Sequence, residues 1–191
     1  MQVKASPFSS RSELGHLLEL YEMKATVVEI GVHRGALMHQ FLLHRSCHKY
    51  FGVDPWNKYD ETDPCSQGNR KRDRKAAEKI AQGFSNICKL LPMTSKEASK
   101  RFRDNSIQLV YIDGNHQPEY VREDLNLWWP KVAEGGFLAG HDIICPHPNI
   151  NWGRNIQPLV FSFCRERDLD LYLVTEPNNE PWSYYFRKQE G

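Results

Sequence analysis

Apolar runs typical of β-strands alternate with helical patterns along nearly the whole chain. This alternation predicts an α/β fold, in which helices connect the strands of a mostly parallel sheet and cover both of its faces. The final two extended runs are joined by the polar segment EPNNEP at 176–181. Because such a connection resembles a hairpin, we expect the last strand to be antiparallel. The sequence therefore predicts a sheet of seven strands.

The element boundaries follow from the spacing of apolar residues and from the glycine and proline positions. The predicted strands are 25–31, 49–54, 87–91, 107–113, 137–140, 169–175 and 182–187. The predicted helices are 10–23, 35–45, 73–82, 95–102, 118–129 and 155–166. Residues 55–69 form a polar loop rich in turn residues, and its length is typical of a lid over a binding site.

Length and composition exclude several classes of protein. A chain of 191 residues predicts a single domain over 1–191, and a net charge of +1 gives no overall reason to expect nucleic acid or an anionic membrane as partner. The apolar runs are too short to span a membrane, and the first residues lack the pattern of a secretory signal. The five cysteines are scattered without a Cys-x-x-Cys pair, which indicates reduced thiols. We therefore expect a cytoplasmic protein, and the sequence leaves a homo-oligomer open.

One charged run, RKRDRK at 70–75, precedes a helical pattern. Cations at the start of a helix oppose its dipole unless an anion faces them. The run is therefore either a solvated helix face or a contact for an acidic or phosphate-bearing substrate.

Polar and glycine residues cluster where the predicted strands end. In open α/β sheets ligands bind at the carboxyl ends of the strands. The residues at these ends are Glu29, Gly31, Gly35, Asp54, Asp113, Gly114, Asn115, His116, His141 and Asp142. The cluster therefore predicts the position of a ligand site.

The first two strand ends fit a ligand that contains a ribose. Asp54 falls 19 residues after Gly35, about the spacing at which an acid at the end of the second strand binds ribose hydroxyls. The loop lacks the Gly-x-Gly-x-x-Gly pattern, since His33 and Ala36 stand at its second and third glycine positions, so a pyrophosphate has less room. The acid Glu29 favours a cationic ligand over a phosphate. S-adenosylmethionine combines a sulfonium, an ammonium and a ribose.

Residues from about 26 to 186 resemble the class I S-adenosylmethionine-dependent methyltransferases. The closest resemblance is to the small-molecule and sugar O-methyltransferase group that includes macrocin O-methyltransferase-like and cephalosporin-hydroxylase-like proteins. The segments that carry it are EIGVHRG at 29–35, VYIDGNH at 110–116, VREDL at 121–125, WPKV at 129–132 and GGFLAGHD at 135–142. They are similar to the group's cofactor loop and to its I-D-G-D-H, D-L-x-x-W-x-P and G-G-x-x-x-G-H-D signatures.

The resemblance implies a Rossmann-like fold, with a seven-stranded, mostly parallel sheet whose last strand is antiparallel. It also implies a role for each matching position. Glu29, Gly31 and Gly35 would hold the methionine part of the cofactor, Asp54 the ribose hydroxyls, and Thr94 and Ser95 would lie near the adenine. The full set of implied cofactor-binding residues is Glu29, Gly31, Val32, His33, Gly35, Asp54, Pro55, Trp56, Thr94, Ser95 and Asp113.

Some relatives also bind a divalent metal ion, for which this chain would offer Asp113, Asp142 and His141. These ligands favour Mg²⁺ or Ca²⁺ over zinc. Asn115 departs from the signature, which often has Asp there, and removes one negative charge. For transfer to a hydroxyl of a small molecule, Asp113, His116 and His141 are the predicted catalytic residues. A metal ion would lower the pKa of the hydroxyl, and a histidine would accept its proton.

Two other interpretations remain open from the sequence. In the first, Asp113, His116, His141 and Asp142 activate water in a metal-dependent hydrolase or lyase, which leaves Glu29, Gly31 and Asp54 without a role. In the second, the chain is a non-catalytic nucleotide-binding module. We interpret Arg34 as an exposed loop residue, and we assign no role to the histidines at 16, 39, 44 and 48.

Overall fold

The computed structural model of the chain describes residues 1–20, 24–57, 68–145 and 152–189. These residues form the predicted α/β fold. The strands are β1 (Val3–Ala5), β2 (Ala25–Ile30), β3 (Cys47–Val53), β4 (Cys88–Leu91), β5 (Ile107–Ile112), β6 (Val132–Ile144), β7 (Leu171–Val174) and β8 (Trp182–Arg187). The helices are α1 (His16–Leu20), α2 (Ala36–Leu43), α3 (Arg70–Gly83), α4 (Ser95–Ser99), α5 (Pro118–Trp128) and α6 (Trp152–Glu166).

The strands form one sheet in the order β1-β7-β8-β6-β5-β2-β3-β4. All neighbours pair in parallel except β8, which is antiparallel to both β6 and β7. The predicted fold class and the antiparallel last strand are thus confirmed. The carboxyl ends of β2, β3, β5 and β6 lie on one edge of the sheet, because these four strands are adjacent and parallel.

The sheet has eight strands in the described residues, one more than predicted. The additional strand, β1, pairs with β7 through Val3↔Leu171, Lys4↔Tyr172 and Ala5↔Leu173. Three residues are too few to show a periodicity in sequence, and only the partner strand defines them as a strand.

The two faces of the sheet carry separate hydrophobic clusters. Buried side chains of α4, α5 and α6, such as Ala98, Trp128 and Phe163, pack with Val28 and Val110 on one face. Side chains of α1, α2 and α3 pack on the opposite face. Successive residues of β5 alternate between the two clusters, as expected of a strand that is covered on both sides.

Two predicted elements differ from the structure. The helix predicted over 10–23 is a 3-10 turn at Arg11–Glu13 followed by the short α1, and residues 21–23 lie outside the described part. The strand predicted over 137–140 extends over Val132–Ile144. Its register shifts against β5 between Ile107 and Leu109, so the glycines at 135 and 136 lie inside an irregular strand rather than before it.

Most of the predicted lid, residues 58–67, lies outside the described residues. Within the described part, no helix is both long enough and apolar enough to cross a membrane. The four described cysteines, Cys47, Cys88, Cys145 and Cys164, are free thiols, as predicted.

Candidate functional site

The loop after β2 is shaped by two glycines with left-handed backbone. Gly31 has φ of +91°, and a Cβ there would lie 1.9 Å from the carbonyl oxygen of Asp113. Gly35 has φ of +82° and precedes the first residue of α2. The loop backbone therefore approaches the end of β5 closely at Gly31, and at Gly35 it packs against Ala77 and Ile80 of α3, so neither position accommodates a side chain without strain.

Glu29 is a buried acid at the end of β2. The Tyr50 hydroxyl donates a hydrogen bond to its carboxylate. Burial raises the pKa of Glu29 to about 8, although the hydrogen bond from Tyr50 opposes the shift. Asp113 and Asp54 raise this pKa further through their charge. Glu29 is therefore largely protonated at neutral pH, and a cation bound beside it would favour the ionised form.

Asp54 follows β3 and joins two loops. Its carboxylate accepts hydrogen bonds from the backbone N–H of His33 at 2.9 Å and of Trp56 at 2.7 Å. The Trp56 indole in turn donates to the carbonyl of His33 at 2.8 Å. Burial raises the pKa of Asp54, while the two backbone N–H groups oppose the shift. These contacts fix the carboxylate at the edge of the loop and leave each oxygen a second lone pair for a ligand hydroxyl.

Four polar side chains meet at the ends of β5 and β6. His116 Nε2 lies 2.7 Å from Asp142 Oδ2, and His141 Nδ1 lies 3.2 Å from the same oxygen. Asp113 Oδ1 lies 3.8 Å from His141 and 3.9 Å from His116. Asp142 is buried and has φ of +59°. The sequence-predicted acid and histidine residues therefore form one cluster.

The charges in this cluster stabilise one another. Burial alone would lower the pKa of His116, but the nearby carboxylates of Asp113 and Asp142 outweigh it and raise that pKa to about 10. Burial opposes ionisation of Asp142, yet its hydrogen bonds to the two histidines hold the pKa of Asp142 well below its usual range. His116 is thus a cation at neutral pH and Asp142 is an anion.

Asp113, His141 and Asp142 could also hold a metal ion. One ligand atom from each lies within 4.8 Å of the others. Among the described residues, Asp142 Oδ1 and His141 Nε2 are buried without a hydrogen-bond partner. Two carboxylates, one of which has a buried oxygen without a hydrogen-bond partner, fit a divalent cation.

Arg11 is a site residue that the sequence analysis missed. Its Nη1 lies 3.2 Å from Asp113 Oδ2, and its backbone N–H donates to Glu176 at 2.7 Å. Glu176 also accepts a hydrogen bond from Ser183 of β8 at 2.8 Å. Nothing local in the sequence marks Arg11, because its partner is 102 residues away.

The charged run at 70–75 anchors the β2–α2 loop. Buried Asp73 lies within α3, where its Oδ1 accepts a hydrogen bond from Arg34 Nε at 2.8 Å and its Oδ2 lies 3.5 Å from His33. Arg70 also faces Asp73, at 3.9 Å. Arg34 is an exposed loop residue, as interpreted from the sequence, but its guanidinium also binds a buried carboxylate, a contact that the sequence did not indicate.

Thr94 and Ser95 have structural partners for their hydroxyls. Thr94 forms a capping box with Glu97 at the start of α4. Ser95 donates to Asp124 and accepts from the Trp128 indole at 2.8 Å, which ties α4 to α5. Burial raises the pKa of Asp124 to about 7, although the Ser95 hydroxyl opposes the shift. The contact of Thr94 and Ser95 with an adenine remains a prediction. The backbone of this turn is better suited to that contact than the two hydroxyls, because both hydroxyls already have partners.

A family model described as a methyltransferase domain matches residues 28–143, more than half of the chain. The chain belongs to this family. The match runs from β2 to β6 and therefore contains every predicted site residue, whereas Arg11 precedes it and Glu176 follows it.

This methyltransferase domain is similar in sequence to a viral protein. An uncharacterised protein of Acanthamoeba polyphaga mimivirus is 26% identical over 138 residues, which are 71% of this chain and 57% of that protein. The chain thus spans little more than half of that relative.

Solved structures resemble the domain over nearly its whole length. The O-methyltransferase TomG of Streptomyces achromogenes, involved in tomaymycin synthesis and solved with SAM, has a TM-score of 0.68 at 9% identity, covering 94% of this chain and 80% of that one. An O-methyltransferase family protein of Burkholderia thailandensis has a TM-score of 0.65 at 14% identity, and the match covers 95% of this chain and 55% of that one. Spermidine synthase of Thermotoga maritima has a TM-score of 0.62 at 18% identity, and the match covers 93% of this chain and 58% of that one. At these identities the similarity establishes the fold, which is compatible with more than one group transfer.

The structure brings most of the predicted site residues of the methyltransferase domain to one edge of the sheet. Glu29, Gly31, His33 and Asp54 surround the β2 and β3 ends, and the acid and histidine cluster lies beside them. Asn115, which departs from the signature, accepts a hydrogen bond from the backbone N–H of Gln117 at 2.9 Å and so helps to start α5.

Proposed function

We propose that this chain transfers a methyl group from S-adenosylmethionine to a hydroxyl oxygen of a small molecule, with a sugar or natural product as the acceptor class. One observation carries the proposal. Two acids at strand ends, Glu29 and Asp54, flank a glycine loop, and the Asp113 cluster lies next to them at the same sheet edge. A cationic, ribose-containing cofactor matches the first group, and an acceptor hydroxyl matches the second.

Each part of the cofactor would have a matching group near the ends of β2, β3 and β4. The buried carboxyl of Glu29 would attract the ammonium and sulfonium charges, and the close backbone at Gly31 and Gly35 would receive the amino-acid end. Asp54 would bind the two ribose hydroxyls with its remaining lone pairs. Val32, His33, Pro55 and Trp56 would line the ribose, and the turn at Thr94 and Ser95 would border the adenine.

Methyl transfer is a displacement in line with the breaking bond. The acceptor oxygen forms a bond to the methyl carbon, the carbon–sulfur bond breaks, and the sulfur leaves as a neutral thioether. Alignment of the two reactants supplies much of the rate acceleration. The acceptor hydroxyl must also lose its proton.

Asp113 is the best-placed proton acceptor. Its carboxylate is the more exposed of the two acids in the cluster, with 23% of the side chain accessible against 3% for Asp142. His116, with a pKa of about 10, already carries a proton and would position Asp142 and stabilise negative charge on the acceptor oxygen. His141 would act in the same way through its contact with Asp142.

A divalent metal ion would belong at Asp113, Asp142 and His141. Mg²⁺ or Ca²⁺ bound there would lower the pKa of the acceptor hydroxyl. The two carboxylates suit these ions. The site differs from an all-oxygen site because His141 offers a nitrogen ligand and because the Arg11 cation lies beside Asp113.

Calorimetric titration with S-adenosylhomocysteine tests the cofactor assignment. We expect binding by the wild-type protein and no comparable binding of NAD⁺. Asp54→Ala should weaken the affinity at least about tenfold, because it removes charged hydrogen bonds. Glu180→Gln, a change of an exposed acid outside the site, should leave the affinity unchanged. Folded protein that does not bind S-adenosylhomocysteine would refute the proposal and favour the hydrolase or lyase interpretation of the Asp113 cluster.

Transfer of labelled methyl groups to a panel of hydroxylated small molecules tests the second half of the site. Asp142→Asn should retain S-adenosylhomocysteine binding and lose turnover. Cofactor binding without transfer to any acceptor, with or without Mg²⁺, would favour a non-catalytic nucleotide-binding module.

A further inference from the structure

Two histidines and a glutamate form a second cluster of metal-ligand type. His16 and Glu19 lie one turn apart on α1, and His44 follows the last residue of α2. We propose that His16, Glu19 and His44 bind a zinc ion, with a water as fourth ligand, and that this ion fastens α1 to α2. The proposal does not depend on the proposed methyl transfer.

The distances suit a shared metal ion. His16 Nδ1 lies 3.0 Å from Glu19 Oε2, and His44 Nδ1 lies 3.1 Å from Glu19 Oε1. One ligand atom from each side chain lies within 4.8 Å of the others. Neighbouring ligands of a tetrahedral ion with bonds of about 2.1 Å lie roughly 3.4 Å apart. Small side-chain rotations would therefore convert these contacts into coordination.

Gly15 helps to hold the His44 ring in place. A Cβ at Gly15 would lie 2.1 Å from His44 Cδ2 and 2.3 Å from its Nε2. Gly15 is not among the glycines with positive φ, so its backbone does not require glycine. The missing side chain makes room for the imidazole, which is only 13% exposed and meets the His16 ring edge-on at 4.8 Å.

The donor set determines which ion fits. Two imidazole nitrogens and one carboxylate are the ligands of many zinc sites, whereas Mg²⁺ and Ca²⁺ require mostly oxygen. Without an ion, the same residues form partly exposed ion pairs, since His16 is 52% and Glu19 is 41% exposed. Such pairs contribute little to stability. A zinc ion would therefore add a link that the side chains alone do not supply.

The position of the cluster makes this ion structural. α2 starts beside the β2 loop and runs eight residues to His44, which places the cluster about 12 Å from the start of the helix. Arg11, which contacts Asp113, precedes His16 by five residues. An ion that fastens α1 would therefore hold the segment that delivers Arg11 to the candidate site.

Titration with Zn²⁺, on protein without a polyhistidine tag, tests the proposal. We expect wild-type protein to bind zinc, to gain thermal stability from it, and to give visible absorption bands of tetrahedral geometry with Co²⁺. His16→Ala and Glu19→Gln should each weaken the affinity by at least about tenfold and abolish the stabilisation. Both changes are at exposed positions, so the test does not depend on a variant of the more buried His44.

Two control variants separate this cluster from other sources of zinc binding. His48→Ala changes an exposed histidine on β3, and Asp142→Asn removes a ligand from the Asp113 cluster. Both should retain the ion at α1. The proposal would be overturned if wild-type protein did not bind zinc. It would also be overturned if binding persisted in His16→Ala and Glu19→Gln, or if only Asp142→Asn lost it.

Discussion

Single residues in this domain combine burial with charge or with an uncommon backbone angle. Glu29 and Asp124 are buried carboxyl groups with raised pKa values, and each accepts a hydrogen bond from one hydroxyl. Gly31 and Gly35 have positive φ. Such features decrease stability locally and are frequent at binding sites, where a ligand compensates for them.

Glu29 should make the protein less stable as the pH rises. Its pKa is about 8 in the folded state and near 4.5 when exposed. Between these values the folded state holds a proton that the unfolded state has released, so the free energy of unfolding decreases with increasing pH. Glu29→Gln should remove this dependence and gain stability relative to wild type by a few kcal/mol between pH 5 and pH 8. Urea denaturation at several pH values measures the difference, and parallel curves for the two proteins would contradict it.

Gly31→Ala should be strongly destabilising. A methyl group at φ of +91° is strained, and it would overlap the Asp113 carbonyl. We expect a loss of more than about 2 kcal/mol in the free energy of unfolding. Gly83→Ala is the matched control, because a Cβ at this last residue of α3 meets nothing within 4 Å. That control should be neutral or stabilising by up to about 1 kcal/mol. Equal effects of the two changes in chemical denaturation would count against the close approach of the loops.

At the scale of elements, ion pairs and hydrogen bonds join parts of the chain that the sheet alone would leave loosely connected. Asp73 on α3 fixes the loop between β2 and α2, and Asp124 on α5 receives Ser95 of α4. The N-terminal segment is held by β1 pairing and by Arg11. Each connection therefore positions a loop at the carboxyl edge of the sheet.

Asp73→Asn should loosen the β2–α2 loop. The change removes the negative charge that faces Arg34 and His33, so we expect a loss of about 1–2 kcal/mol in stability and a several-fold weaker affinity for S-adenosylhomocysteine. Glu78→Gln removes the exposed pair with Arg74 on the same helix and should cost no more than about 0.5 kcal/mol. Denaturation and calorimetry on both variants measure the effects. Unchanged affinity in Asp73→Asn would show that the loop is positioned by other contacts.

At the scale of the whole molecule, the candidate acceptor site is assembled from distant parts of the chain. Arg11, Asp113 and Glu176 come from three segments that meet only because β8 inserts between β6 and β7 and β1 adds to β7. Glu29 and Asp54, in contrast, lie within one βαβ unit of β2, α2 and β3. We therefore expect that a long-range contact can be altered without disturbing the loops that carry Glu29 and Asp54.

Arg11→Gln should separate the two halves of the site. Arg11 contacts Asp113 but neither Glu29 nor Asp54 by a hydrogen bond or ion pair among the described residues. We expect S-adenosylhomocysteine affinity within about twofold of wild type and methyl transfer reduced at least about tenfold, with partial recovery in Arg11→Lys. Equilibrium binding and initial rates measure both quantities. A parallel loss of binding and turnover would instead assign Arg11 a structural role for the whole site.

The sequence by itself determined the α/β class, the antiparallel last strand and the strand-end residues, because periodicity and turn residues are local signals. It did not determine β1, the split of the helix predicted over 10–23, or the long irregular β6, since these depend on a partner strand or on neighbouring packing. Asp113 and His141 could be predicted as members of one cluster because parallel neighbouring strands end at the same edge. Only the tertiary structure decided three other features: the contact of Arg11 with Asp113, the anchoring of the β2–α2 loop by Asp73, and the packing of the His44 ring against Gly15. Each joins residues that come close only after the sheet and its helices have packed.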